Sequence, residues 1–444
     1  MSEKRVAFYT LGCKLNQYDT QSLLELFRKC CYNIVDFSET AHVYVINTCT
    51  VTGSGERKSR QAIRRAVRQN PEAVVVVTGC YAQTAPGDVA GLPGVDLVIG
   101  NQDRAQIVEL VEKVNQGQPQ IEVENIFGAT EFEELPIQEF DGRARATLKI
   151  QDGCNQFCTY CKIPFARGPS RSRRLKAIVE EAKRLVDRGF GEVVLTGIHL
   201  GAYGADLDPA VNLAEVIRAL EGIDGLKRLR LGSVDVPEID EGLCLAIKAS
   251  EIACHHLHIP LQAGDDEILK AMRRPYTAAE FQDKIDLVRH YLPNIAITTD
   301  VIVGFPGETD RQFQNGLDLV RNVGFTRLHV FRYSPRSGTA AARFPKQVPG
   351  VVKRRRSREM IALGHELSLK FHKSYIGQKV EVLWEEVLHT GRGDTESQGA
   401  FWIGHTDTYV KVTAQNYRGE IGDMSKVAIL SATPEGVFGD AVEV

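Results

Sequence analysis

From Arg5 to about Val114, short β-branched apolar runs alternate with amphipathic stretches. The runs are VAFYTL, VYVINTC, AVVVVTG and DLVIG, and the helical candidates between or after them are Asn16–Cys31, Gly53–Arg68 and Asp103–Val114. That rhythm predicts an open, mostly parallel α/β sheet. Between Asn115 and Gly142 no period is sustained and the chain turns acidic with Pro and Gly, which reads as a linker. A second alternation follows, with strand candidates ATLKI, EVVLTGI, LKRLRLGSV, HHLHIPL, AITTDVIVG and RLHVFRYS. Helical patterns at Lys176–Arg188, Leu213–Leu220, Ala278–Tyr291 and Thr309–Asn322 separate most of them. Because a parallel pair needs a crossover, this predicts a partial (β/α)6 barrel, whose sites collect at the carboxyl ends of its strands. After a basic connecting helix over Val351–Lys373, the segments KVEVLWEEV, GAFWIGHT, YVKVTAQ, SKVAIL and GVFGDAVEV predict a small antiparallel β-barrel. The expected domains are 1–116, 117–141 as a linker, 142–372 and 373–440.

Composition narrows the class. The 444 residues are 43% hydrophobic and 25% charged, a soluble globular mix too long for one ordinary core. No signal-peptide pattern and no spanning apolar segment stand in the chain, so the expected location is the cytoplasm, with no membrane partner. In a reducing compartment ten cysteines argue against a disulfide framework and turn the question to metal or catalysis. The net charge of −3 does not suggest a nucleic-acid binder, but it averages over local basic clusters.

Cys154, Cys158 and Cys161 stand in C-x3-C-x2-C spacing just after the first strand of the second region. Three thiolates in one short loop can hold an iron–sulfur cube and leave one iron open, whereas a structural zinc site wants a close fourth ligand that is absent nearby. Cys13, Cys49 and Cys80 each follow an apolar strand candidate. In a parallel sheet those carboxyl ends share one edge, so three distant cysteines can meet there as a second cluster site. Cys30, Cys31, Cys244 and Cys254 are read as structural.

The first motif, with Tyr160 before its last cysteine, resembles the radical S-adenosylmethionine (SAM) superfamily. The stretches TLGCKLNQYDT, NTCTVT, TGCYAQ, DGCNQFCTYC, HLHIPLQAGDDEILKAMRR and DVIVGFPGET extend the resemblance to the methylthiotransferases over essentially the whole chain. The resemblance implies two [4Fe-4S] clusters, two uses of SAM, and a methylthio group replacing an unreactive C–H hydrogen. It implies an electron donor of flavodoxin or ferredoxin type. Three branches compete, acting on isopentenylated adenosine in tRNA, on threonylcarbamoyladenosine in tRNA, or on a ribosomal-protein aspartate. LGCKLNQY, PFARGPSRSR and LTGIHLG look most like the threonylcarbamoyladenosine branch, with Lys162 as a departure after the third cysteine. A non-enzymatic rival is a zinc-bearing RNA-binding scaffold.

Strand-end residues Gly197, Ser233, Gln262 and Asp300, together with Tyr160, are the SAM candidates. Arg167, Arg171, Arg173 and Arg174 flank the presumed mouth and are read as phosphate or substrate contacts to tRNA. The bases on the helix at Arg57 are read as a solvated face. The C-terminal segment resembles the TRAM domain, and Trp384, Phe401, Trp402, Tyr409 and Tyr417 divide there between core and base-stacking positions.

Overall fold

The computed structural model describes residues 4–50, 53–115, 117–135, 137, 143–389, 400–415 and 417–442. Strands β1 (Arg5–Thr10), β2 (Asn33–Val35), β3 (Val43–Thr48), β4 (Val74–Gly79), β5 (Leu97–Ile99) and β6 (Gln120–Glu122) form one parallel sheet in the order β2-β1-β3-β4-β5-β6. Alternate residues feed two cores. Tyr44, Ile46, Val75 and Val77 pack with Ala62, Ile63 and Ala66 on one face, while Val43, Val45 and Val76 meet Leu23, Phe27 and Ile107 on the other. Burial on both faces is why these strands read as continuous apolar runs. β6 lies within the stretch expected to be a linker. Backbone pairing of Leu97 with Gln120 and Ile99 with Glu122 draws that stretch onto the sheet edge. Its Ile126, Leu135 and Ile137 are buried, so the segment is part of the packed body although it lacks a period.

The second region contains β7 (Ala146–Lys149), a short pair β8 (Gln151–Asp152) and β9 (Arg171–Ser172), and then β10 (Glu192–Thr196), β11 (Arg228–Leu231), β12 (His256–His258), β13 (Ala296–Val303) and β14 (Arg327–Arg332). The parallel sheets β11-β10-β7 and β12-β13-β14 are joined by bridges at Leu229–Ala253 and Ser233–His258. The result is the expected open barrel of six strands. Its outer helices start cleanly, with reciprocal side-chain and backbone caps at Asn212–Glu215, Thr277–Glu280 and Thr309–Gln312. The helix Lys14–Lys29 of the first domain packs against β7, and Tyr18 joins the barrel's own core.

The helix Gly350–Lys373 packs on β14 and leads to β15 (Lys379–His389), β16 (Ala400–His405), β17 (Lys411–Gln415), β18 (Met424–Thr433) and β19 (Gly436–Ala441), closed in the order β15-β16-β17-β19-β18. Four seams are antiparallel, but β17 and β19 run parallel. The fully antiparallel barrel expected from the sequence cannot close with five strands, because alternating directions around an odd ring must repeat once. Trp384 is this barrel's buried core, with its indole N–H on Ser425 Oγ at 2.8 Å, and Trp402 and Tyr417 lean on it.

Candidate functional site

Cys154, Cys158 and Cys161 occupy the loop after β8. Gly153 turns the chain with φ +75°, so close to the carbonyl of Pro169 that a Cβ there would overlap it. Cys154 N donates to Gly168 O at 3.0 Å and Thr159 N to Met272 O at 3.0 Å, which pins the loop at both ends. Each sulfur already receives polar attention. Gln156 N points at Cys154 Sγ and Ile163 N at Cys161 Sγ, each at 3.4 Å, and Arg274 Nη1 at Cys158 Sγ, also at 3.4 Å. Burial pushes the Cys161 thiol up to about 12. A thiol penalised for ionising, yet surrounded by donors, suits a place where irons supply the missing positive charge. The residues therefore fit a cluster.

The second trio is assembled across the sheet. Cys13 precedes the helix Lys14–Lys29, Cys49 follows β3, and Cys80 opens the helix Cys80–Thr84 directly after β4. The sheet reverses its order between β1 and β3, the crevice where open parallel sheets bind ligands. Asn16 holds that edge, since its Nδ2 donates to Leu11 O at 2.7 Å and Thr48 O at 3.0 Å. Its Oδ1 faces Cys80 Sγ at 3.8 Å. Gly12 lies so near Cys49 that an added Cβ would sit 3.1 Å from the Cys49 Cβ. Burial lifts the Cys80 thiol to about 11, opposed by Arg167 and reinforced by the neighbouring Cys13 and Cys49. This donor set, too, fits a cluster.

A buried charge network ties the two trios together. Arg167 ends the short helix after Cys161 and is fully buried, with Nη2 on Asn16 Oδ1 at 2.7 Å and Asp19 Oδ2 at 2.8 Å. Its Nη1 reaches Asp152 at 3.0 Å, two residues before Cys154. Lys149 bridges Asp19 and Asp152 at 3.0 and 2.6 Å, and Arg104 joins Asp19 to Glu133 at 2.9 and 2.5 Å. Three cations thus answer three carboxylates. Although burial opposes ionisation, Arg104, Lys149 and Arg167 hold the Asp19 carboxyl well below its usual range. The helices Ile163–Arg167 and Cys80–Thr84 pack together, so the loops leaving the two trios share one junction. An open cavity of about 690 Å³ borders it, lined by Tyr81 and Gln83 after Cys80 and by Lys162 and Phe165 after Cys161.

Residues 5–100 match the family model described as Uncharacterized protein family UPF0004, and residues 148–320 match the Radical SAM superfamily. The Threonylcarbamoyladenosine tRNA methylthiotransferase MtaB of Bacillus subtilis (strain 168) is 44% identical over 99% of this chain and 97% of its own length. The chain belongs to the threonylcarbamoyladenosine tRNA methylthiotransferase family. Another family member, from Aquifex aeolicus (strain VF5), is 37% identical over 96% of this chain and all of its own. The radical SAM methyltransferase TsrM from Kitasatospora setae is 15% identical, with a TM-score of 0.59 over 77% of each chain, and shares the fold.

With the family in hand, the remaining site residues can be located. Gly197, Ser233 and Gln262 follow the carboxyl ends of β10, β11 and β12, whereas Asp300 lies within β13, and all four are at least partly accessible. Gly197 abuts Gln151, where a Cβ would come within 2.8 Å of Oε1. Gln262 takes a left-handed φ of +65°, fixed by bonds from its N–H to Asp300 O and from Ile302 N to its carbonyl. Asp300 pairs with His258 at 3.3 Å. Tyr160 lies beside Cys158 and Arg274, and burial raises its phenol well above the usual value.

The arginines expected to meet RNA are a correction. Arg167, Arg171 and Arg173 are buried, and only Arg174 is exposed. Arg171 donates to Arg167 O at 2.9 Å, while Arg173 forks onto Glu134 and pairs with Glu181 at 2.5 Å. Carboxylates thus claim Arg167 and Arg173, and the carbonyls of Arg167 and Pro169 hold the buried Arg171. The exposed bases are instead Arg57, Lys58, Arg64, Arg65 and Arg68 on the helix Gly53–Gln69. Composition also gave no hint of His199, whose Nε2 lies 2.9 Å from Glu238 Oε1; burial favours its neutral form, but the neighbouring Cys154 and Glu238 raise its pKa to about 10. His199 and Arg274 lie within the quoted motifs, but only the fold turns them toward the cysteines.

Proposed function

We propose that this chain adds a methylthio group to carbon 2 of N6-threonylcarbamoyladenosine at position 37 of tRNA, beside the anticodon, using two [4Fe-4S] clusters and two SAM molecules. The observation that carries the reading is the pair of three-thiol sites joined through Asn16, Arg167 and Asp152. Cys154, Cys158 and Cys161 would hold the SAM-cleaving cluster, and Cys13, Cys49 and Cys80 the auxiliary one. When bound, these groups supply a radical to remove the hydrogen and a held sulfur for the new carbon–sulfur bond.

The protein's part is placement. Arg274 and the backbone amides of Gln156 and Ile163 donate to the barrel thiolates, and such bonds to sulfur tune a cluster. Arg167 fixes the barrel loop to the sheet edge, so both sites face one substrate. Tyr160, Gly197, Ser233, Gln262 and Asp300 are offered as the SAM cradle. The basic helix Gly53–Gln69 would meet RNA phosphates in place of the buried arginines, and Arg174 would add one contact. The C-terminal barrel is taken as a TRAM-like RNA-holding module, and an external one-electron donor of flavodoxin or ferredoxin type completes the cycle.

Mass spectrometry of tRNA nucleosides from a strain lacking the gene tests the reading. The methylthio-threonylcarbamoyladenosine peak should disappear and return on complementation. A peak that persists overturns the substrate assignment, and loss of methylthio-isopentenyladenosine in its place moves the chain to the sister branch.

A further inference from the structure

Lys14 follows Cys13 and is the first residue of its helix. Its Nζ lies 5.8 Å from the ring centre of Tyr409, which comes from the loop between β16 and β17. Arg145 and Arg230 share that ring at 5.4 and 4.8 Å. The loop is firmly held, because Arg230 donates to Thr406 O at 3.1 Å and Asp407 O at 2.8 Å, and Thr406 bonds Tyr409 and Val410. Tyr409 is therefore a fixed floor rather than a free RNA-stacking ring.

The charges on this floor do not balance. Glu192 pairs with Arg230 at 2.7 Å and Arg145 at 3.3 Å, and Glu385 pairs with Arg145 and with His405. Among the described residues no carboxylate lies within ion-pair distance of Lys14, and its ammonium makes no hydrogen bond. A second polar group is left open in the same nest. His256 is 5% exposed and lies 5.2 Å from the Tyr409 ring, with its Nε2 toward Thr298 Oγ1 and no partner at Nδ1. Lys14 itself stays accessible, although Arg230 and His256 beside it are buried. Three neighbouring cations, one of them an accessible ammonium with no carboxylate of its own, make a positive spot that favours an incoming anion.

We propose that Lys14, over the Tyr409 floor with Arg145 and Arg230 behind it, receives the free carboxylate of the threonylcarbamoyl group. The inference rests on the function proposed above and deepens it. That carboxylate gives threonylcarbamoyladenosine a negative charge on its base that adenosine and the isopentenyl derivative lack. It hangs from N6 on C6, which is separated only by N1 from the carbon to be modified. A lysine adjacent to a ligand of the auxiliary site is placed to reach it while that carbon faces the sulfur.

Anticodon stem-loops carrying threonylcarbamoyladenosine, its methyl ester or unmodified adenosine provide the test, with Kd measured on the cluster-loaded chain without SAM. Wild type should bind the free acid more tightly than the ester. Lys14→Met should weaken the free acid about tenfold or more, the scale of a charge-assisted hydrogen bond, and leave the ester unchanged. Lys14→Arg should restore the preference. Because acid and ester are compared within one variant, a general folding defect moves both and leaves their ratio intact. A ratio that Lys14→Met does not change overturns the proposal, as does a variant that loses SAM affinity while keeping the ratio. A wild-type chain that modifies isopentenyladenosine stem-loops and ignores threonylcarbamoyladenosine overturns the functional reading itself, with no variant needed.

Discussion

The two cysteine trios do similar chemical work from opposite structural starting points. One occupies eight consecutive positions of a single loop, anchored by Gly153 and by backbone bonds to Gly168 and Met272. The other exists only because β1, β3 and β4 are neighbours in register, with Asn16 tying their ends. A local site survives as long as its loop does, whereas a sheet-edge site depends on the whole domain. The difference predicts separable failures.

The largest effects should come from the ligands themselves. Replacing Cys154, Cys158 or Cys161 by Ala should abolish reductive SAM cleavage and product together. Replacing Cys13, Cys49 or Cys80 should stop methylthio transfer and spare cleavage. Iron should fall from about eight to about four per chain in either class, as expected for cubes of four. Deoxyadenosine release and nucleoside mass spectra read the two outcomes, and equal loss of cleavage in both classes would break the comparison.

Next in size is the link between the sites. Arg167→Met leaves Asp19 and Asp152 short of a buried counter-charge, which costs about 3–5 kcal/mol where such networks lose one partner. The expected result is a marked fall in the thermal unfolding midpoint and loss of transfer. Lys at this position would keep the charge but lose the fork that spans Asn16, Asp19 and Asp152, and should recover only part of the stability.

This network is also where sequence reading reaches its limit. The barrel trio was legible because its spacing is local, and the second trio because apolar runs ending in cysteine recur three times. The fate of the arginines was not. Arg167, Arg171 and Arg173 follow the cluster loop and look like phosphate ligands, but tertiary packing that no local pattern encodes brings Asp19 to Arg167 and Glu134 and Glu181 to Arg173. β6 escaped notice because a three-residue edge strand has no period, and Tyr409 was named but not sorted between core and stacking because its partners Lys14, Arg145 and Arg230 lie in distant segments.

A smaller effect sharpens the contrast at the backbone. Gly79 adopts φ +92°, and a Cβ there would overlap Asn47 and sit 2.5 Å from Thr48 O. Gly79→Ala should therefore strain the sheet edge by about 2 kcal/mol and deplete the auxiliary site of iron first, with SAM cleavage retained. Gly153→Ala, forced toward the Pro169 carbonyl, should do the reverse. Iron content and cleavage measured together distinguish the two patterns.

The smallest effect asks whether the C-terminal barrel contributes to either site through charge. His255 pairs with Asp407 at 3.1 Å, next to the loop that carries Tyr409. The hydrogen bond to Asp407 raises the His255 pKa despite partial burial. Raised in the folded state, it adds stability that is complete below the unfolded histidine value of about 6.5 and is lost as pH climbs through the folded value. Both side chains are about half exposed (51% and 43%), so solvent screening holds the gain to about 0.5 kcal/mol. Wild type should thus lose slightly more stability than His255→Gln over the interval in which pH rises from the unfolded histidine value of about 6.5 through the folded one. Iron retention at the two trios should stay the same across that interval, because the pair grips the loop and touches neither cysteine set. If one trio loses iron as His255 deprotonates, the docking of the barrel supports that trio, and the division into a local site and a sheet-edge site has to include a third domain.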